Sequence, residues 1–171
     1  MVTNERRHNT DIAFHEDEVK LAKKMMDTLR TTMEFLYYLV DHRNKTSFTM
    51  ILISTEGLKL DTLLQKWKRQ TDILFEIDKV NNVYVLICQS TDREGGKKYA
   101  EILLSNIHMN GGNSTYCVAS ELQTTGHTIQ EVIFKMVEKY MLARQDKDEN
   151  QVFFTKLEKE NRTSLDNITY K

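Results

Sequence analysis

Residues 72–88 read Asp72-Ile-Leu-Phe-Glu-Ile77-Asp-Lys-Val-Asn-Asn82-Val-Tyr-Val-Leu-Ile-Cys88. Side chains alternate across an extended chain, so Ile73, Phe75 and Ile77 share one face while Leu74 and Glu76 share the other. Val83 to Cys88 is a second apolar run, and Asn81-Asn82 between them is turn chemistry. The pair predicts a β-hairpin with a loop longer than the two-residue class. Before the hairpin, Leu60, Leu63, Leu64 and Trp67 recur at helical steps within 58–69, and Phe48 to Ile53 is a nearly unbroken apolar run that suits a central strand. After it, Thr91-Asp-Arg-Glu94 forms a capping box for a helix over 92–108 that ends at Gly111-Gly112. Thr115 to Ser120 predicts a strand. Thr128-Ile-Gln-Glu131 is a second capping box, and its helix buries Val132, Ile133, Met136, Val137, Tyr140 and Met141. Val152-Phe-Phe154 closes the series as a short strand.

The order is β-α-β-β-α-β followed by α-β. Its first six elements are the split βαβ unit of a ferredoxin-like fold. The fold class is therefore α+β, an antiparallel sheet with packed helices. A long helix over 16–43 precedes it, with Val19, Ala22, Met26, Leu29, Met33, Leu36, Tyr37 and Val40 at three- and four-residue spacings. The expected organisation is a flexible tail over 1–15, the helix over 16–43, a turn at Asn44-Lys45-Thr46, a domain over 45–156 and a flexible tail over 157–171. The apolar stripe of the helix exceeds the roughly 25 Å that five- to six-residue strands can cover. Leu21, Met25 and Met26 are then expected to stay exposed in a monomer and to support a homodimer through paired helices.

The composition narrows the partners. The 171 residues carry 24 Lys+Arg against 25 Asp+Glu, a net charge of −1 that provides no field for nucleic acid or an anionic membrane. No run of about 18 apolar residues suggests a spanning segment. The polar stretch from Met1 to Glu18 is not a secretory signal, so a cytoplasmic location is expected. Cys88 and Cys117 have no metal-type spacing and the five histidines form no zinc motif; no metal or other cofactor is expected. The first strand should lie between the two cysteine strands, holding their Cα atoms about 9–10 Å apart, too far for a disulfide.

Several segments, in order, resemble the GGDEF domain of bacterial diguanylate cyclases over residues 45–155, in degenerate form. Met50-Ile-Leu-Ile-Ser-Thr-Glu-Gly-Leu-Lys59 is similar to the family strand that ends in Asp-x-Asp-x-Phe-Lys. Arg69-Gln-Thr-Asp72 resembles the Arg-x-x-Asp that precedes the family hairpin. Val80-Asn-Asn-Val-Tyr84 takes the place of the Gly-Gly-Asp-Glu-Phe signature. Thr115-Tyr-Cys-Val-Ala119 stands for Thr-x-Ser-x-Gly, and Ala143-Arg144 with Asn150-Gln-Val152 resembles the closing Ala-Lys and Gly-x-Asn-x-Val.

The departures shape the functional expectation. The resemblance puts one metal carboxylate at Ser54 and the other at Val83, and neither side chain ligates Mg²⁺ well. Glu56 shares a side with Ser54 if the strand is regular, and would reach the site only by moving. Val80 and Asn81 replace the signature glycines, which let a nucleotide approach the backbone. Gly95-Gly96 lies inside a predicted helix and is not a phosphate loop. The expected function is a non-catalytic GGDEF-like module that signals by contact with a protein partner. The alternatives are a receptor for cyclic di-GMP or another nucleotide, and an unrelated ferredoxin-like regulator or sensor. A receptor role would centre on Arg69 and Asp72, the Arg fork holding phosphate or a guanine edge and the Asp accepting guanine N–H groups. Arg144 or Arg93 would supply a second arginine. The competing reading of the Arg69/Asp72 pair is a helix end and a strand start with no ligand.

Overall fold

The computed structural model describes residues 2–42 and 47–157. The turn expected at Asn44-Lys45-Thr46 and all but the first residue of the tail expected over 157–171 lie outside the described residues. The chain runs α1 (Val2–His42), β1 (Phe48–Glu56), α2 (Asp61–Trp67), β2 (Asp72–Asp78), β3 (Val83–Gln89), α3 (Arg93–Met109), β4 (Asn113–Leu122), α4 (Ile129–Gln145) and β5 (Val152–Phe154). One sheet forms in the order β2-β3-β1-β4-β5. The first three pairings are antiparallel, but β4 and β5 are parallel, so the sheet is mixed, not wholly antiparallel as expected. The cause is the connection: α4 carries the chain back along the sheet, and a strand reached through such a crossover enters parallel.

The continuous apolar run of β1 follows from its central place, with helices over both faces. Met50 and Leu52 of β1 join Val83, Val85, Ile87 and Val118 in a core under α1 and α4. Ile51, Ile53, Leu86 and Ala119 point the other way, into a core under α2 and α3. Helix α3 approaches β1 closely at Gly96, where a Cβ would lie 2.7 Å from Thr49 Cγ2. This glycine thus serves packing. Its helix begins one residue later than its capping box suggests: Asp92 accepts from the Gly95 N–H at 2.8 Å, while the Thr91 hydroxyl donates to the Gln89 carbonyl. Thr128 caps α4 as expected, accepting from the Glu131 N–H at 3.0 Å.

Two expectations about α1 are corrected. The helix starts at Val2, so residues 2–15 continue it where a tail was expected; no Gly or Pro interrupts that stretch. Leu21 and Met25 are buried, with Ala22, Leu29, Met33 and Leu36, in the same core as the sheet, and Met26 is half-buried. α1 lies antiparallel along α4, which covers stripe that the sheet alone would leave bare. Polar contacts pin the helix at its middle and near its C-terminal end. Lys24 Nζ donates to Asp78 Oδ2 at 3.1 Å, the Tyr37 hydroxyl donates to the His127 carbonyl at 2.9 Å, and the Thr125 hydroxyl donates to Asp41 Oδ1 at 2.6 Å. Leu21 and Met25, on which the expected homodimer depends, are therefore part of the protein's own core, and Met26 packs against it. Among the described residues no helix is long and apolar enough to cross a membrane.

Cys88 and Cys117 are free and buried on strands flanking β1. Cys88 stands opposite Thr49 and Cys117 opposite Ile53. The four-residue offset adds to two strand spacings and separates them by about 16 Å, wider than the 9–10 Å expected from strand order alone. Burial pushes both thiols up to about 12.

Candidate functional site

The C-terminal end of β1, the 79–82 hairpin loop and the last turns of α4 border a cleft of about 510 Å³. Ser54 lies at its base, opposite Val83 on β3 and Tyr116 on β4. Its hydroxyl accepts a hydrogen bond of 2.7 Å from the buried hydroxyl of Tyr140 on α4. The Tyr140 ring stands edge-on to Tyr116 at 6.5 Å, and the Arg144 guanidinium lies 5.8 Å from its centroid. Burial raises the Tyr140 hydroxyl above its ordinary range, against the opposing bond to Ser54 and the charge of Arg144. Val83 is buried in the α1/α4 core. The two positions that the resemblance assigns to metal carboxylates thus hold a paired hydroxyl and an aliphatic side chain.

The register of β1 against β4 shifts between Ser54 and Glu56. This bulge removes the simple alternation on which a shared side for Ser54 and Glu56 was expected. Thr55 is buried, its hydroxyl paired with Thr115 at 2.6 Å, while Glu56 is exposed at the rim. Lys59, Lys79 and Arg144 also line the cleft, so three cations surround one carboxylate. Among the described residues no group of three or more His, Cys, Asp or Glu gathers in a metal-binding array. Such a lining favours direct contact with an anion over a bridge through a divalent cation.

Two side chains hold the wall of the cleft. Asp78 Oδ1 accepts from the N–H groups of Val80 and Asn81, and its Oδ2 accepts from the Asn81 amide at 2.7 Å. Burial alone would raise its pKa, but hydrogen bonds from Asn81 and Lys24 hold the carboxyl below the usual range. Asn82, at φ 58°, donates to the carbonyls of Thr55 and Leu58 and accepts from the Leu60 N–H. A short side-chain amide thereby ties the hairpin to the β1–α2 connection, and Asn tolerates the left-handed backbone this needs.

Arg69 and Asp72 meet two strands over and at the opposite end of the sheet, where Asp72 faces Cys88 and Cys88 faces Thr49 at the start of β1. Arg69 Nε donates to both carboxylate oxygens of Asp72 at 3.1 Å and Nη2 donates to Oδ1 at 2.9 Å. The Arg69 backbone N–H also donates to Asp72 Oδ2, and the Asp72 N–H returns a bond to the Arg69 carbonyl. Nη2 reaches the Thr91 hydroxyl at 2.9 Å, and the Tyr99 ring lies 5.1 Å beneath the guanidinium. The hydrogen bond to Asp72 raises the Arg69 pKa, while burial and then the Asp72 charge push the Tyr99 hydroxyl up. The Asp72 side chain has no exposed surface, whereas that of Arg69 is 47% exposed. Of the two, only Arg69 presents an edge to solvent, beside a hollow of about 310 Å³ bordered by Ser90, Thr91 and Gly95. Neither candidate second arginine joins it among the described contacts: Arg144 lies at the cleft, and Arg93 covers the Phe154 ring at 4.6 Å.

No family model matches the chain, and no curated protein matches it in sequence. Solved structures do. The active GGEEF domain of a diguanylate cyclase from Vibrio cholerae is similar over 70% of this chain and 88% of its own, with a TM-score of 0.53 at 14% identity. Diguanylate cyclase SiaD from Pseudomonas aeruginosa, in complex with its activator SiaC, is similar over 90% of this chain and 76% of its own, with a TM-score of 0.49 at 11% identity. The first likeness identifies the fold as that of a GGDEF domain.

Proposed function

We propose that the chain is a non-catalytic signalling module on the GGDEF fold, acting by contact with a protein partner. The observation that carries this reading is the hydrogen bond from the Tyr140 hydroxyl to Ser54 Oγ at the end of β1. Cyclisation of GTP needs divalent metal held on a triphosphate by carboxylates. A hydroxyl already paired with Tyr140, opposite an aliphatic Val83, supplies no negative charge to hold the metal. The purified chain, incubated with GTP and either Mg²⁺ or Mn²⁺, is expected to yield no cyclic di-GMP. Chromatographic detection of the product would overturn the reading.

A second reading, nucleotide binding without turnover, is favoured by the three cations at the cleft and by the exposed edge of Arg69. In that reading Arg69 touches a phosphate or guanine edge, and Asp72 orients Arg69 from below instead of touching the ligand. Calorimetric titration with cyclic di-GMP and with GTP separates the two readings. Heat of binding that disappears in Arg69→Ala assigns cyclic di-GMP to Arg69, and no heat with either ligand leaves the protein-contact reading alone.

A further inference from the structure

Among the described residues, an ion pair ties helix α1 to Asp78, the residue that folds the loop lining the candidate cleft. A second hollow of about 310 Å³ lies against the cleft and shares Asn81, Tyr140 and Arg144 with it; α1 supplies its far wall with Asp17, Lys20, Leu21 and Lys24. Lys24 Nζ donates to Asp78 Oδ2, the same carboxylate that accepts from the Val80 and Asn81 N–H groups. The register of β2 against β3 shifts between Glu76 and Asp78, so the loop beyond leaves the regular ladder and takes its shape from this carboxylate. Lys24 is 52% exposed and Asp78 11% exposed, a cation in reach of solvent on a nearly buried anion. Four residues before Lys24 the helix has left the buried stripe, and from Leu21 back to Val2 it continues about 28 Å.

We propose that Lys24 and Asp78 form a latch by which the placement of α1 sets the hairpin wall of the cleft. Asp78 has two tasks. It folds the loop that carries Asn81 and Asn82, and it holds that loop to α1. A displacement of α1 that withdraws Lys24 leaves the carboxylate nearly buried and without its cation, which loosens the loop. By linkage, a ligand that orders the loop also favours the docked α1. The proposal rests on the second reading, in which the cleft takes a nucleotide without turnover, and its own test does not depend on any ligand.

The test is amide hydrogen exchange of Val80 and Asn81 in the full chain, in four versions: unchanged, Lys24→Met, Asp78→Asn and the two together. Met keeps the apolar stem of Lys24, and Asn keeps an acceptor for the loop, so the fold stays intact in each. Exchange at Val80 and Asn81 is expected to rise about fivefold in Lys24→Met, the scale of a favourable partly solvated ion pair. The same substitution made on top of Asp78→Asn should add nothing, because the interaction is already gone. Ladder amides such as Leu86 should not change. Equal exchange at Val80 and Asn81 in Lys24→Met and the unchanged chain overturns the latch. So does a full additional rise in the double variant. Titration with inorganic pyrophosphate gives a separate readout. Slower loop exchange on binding, with weaker binding in Lys24→Met, supports the link to the cleft. Binding that is equal in both overturns that link. Absence of binding to the unchanged chain counts against the anion reading of the cleft, while the exchange comparison alone decides the latch.

Discussion

Leu29→Ala is expected to lower the unfolding free energy by about 3 kcal/mol, within the range for truncating a fully buried leucine. Leu29 lies in the C-terminal half of α1, fully buried in the core that α1 and α4 form over the sheet. Part of the loss is transfer of the missing methyl groups from water, and part is the cavity, since α1 is pinned at Lys24 and at Tyr37 and cannot settle inward freely. Urea unfolding followed by circular dichroism measures it. Sedimentation of the same variant should be unchanged, because Leu29 faces its own domain. A variant that unfolds like the unchanged chain but sediments differently would restore the view that this stripe pairs with another copy.

Arg69→Met should cost about 2–3 kcal/mol. Removing one partner of a buried ion pair leaves a charge without compensation, which costs about 3–5 kcal/mol when both partners are buried. The value here is placed lower because Arg69 is partly in water, and because its backbone N–H still serves the Asp72 carboxylate. The double variant Arg69→Met/Asp72→Asn should regain at least half of the loss, since no charge is then left buried. Thermal unfolding of the three proteins checks this. A double variant no more stable than Arg69→Met would show that lost packing on Tyr99, not the stranded carboxylate, dominates.

The two sites differ in how far they could be read from the chain. Arg69 and Asp72 are three residues apart, and a short loop brings them together whatever the rest of the fold does. That they pair was therefore open to sequence reasoning. That Asp72 is sealed was not, because it is buried among groups on other elements, Tyr99 of α3 and Cys88 of β3 among its neighbours. The cleft shows the opposite case. Ser54 and Tyr140 are separated by 86 residues and meet only because α4 packs on β4, the strand beside β1. Tyr140 reads in sequence as an ordinary core aromatic. Arg144 reads in sequence as the counterpart of the closing Ala-Lys and as a candidate companion for Arg69, and its i+4 spacing from Tyr140 puts both on the same side of α4.

The amino-acid sequence by itself determined the order of the elements, the hairpin at 72–88, the central place of β1 and the absence of carboxylates at positions 54 and 83. These depend on alternation, helical spacing, turn residues and residue identity, all of which act over a few neighbours. Tertiary structure alone decided that β5 enters parallel, that a bulge at Ser54–Glu56 breaks the alternation of β1, and that Leu21 and Met25 are core. It alone also decided that Lys24 holds Asp78 across 54 residues. Each of these is a long-range outcome. A helix stripe or a carboxylate carries the same local pattern whether it meets water, a second chain or its own sheet, and only the packed chain selects among them.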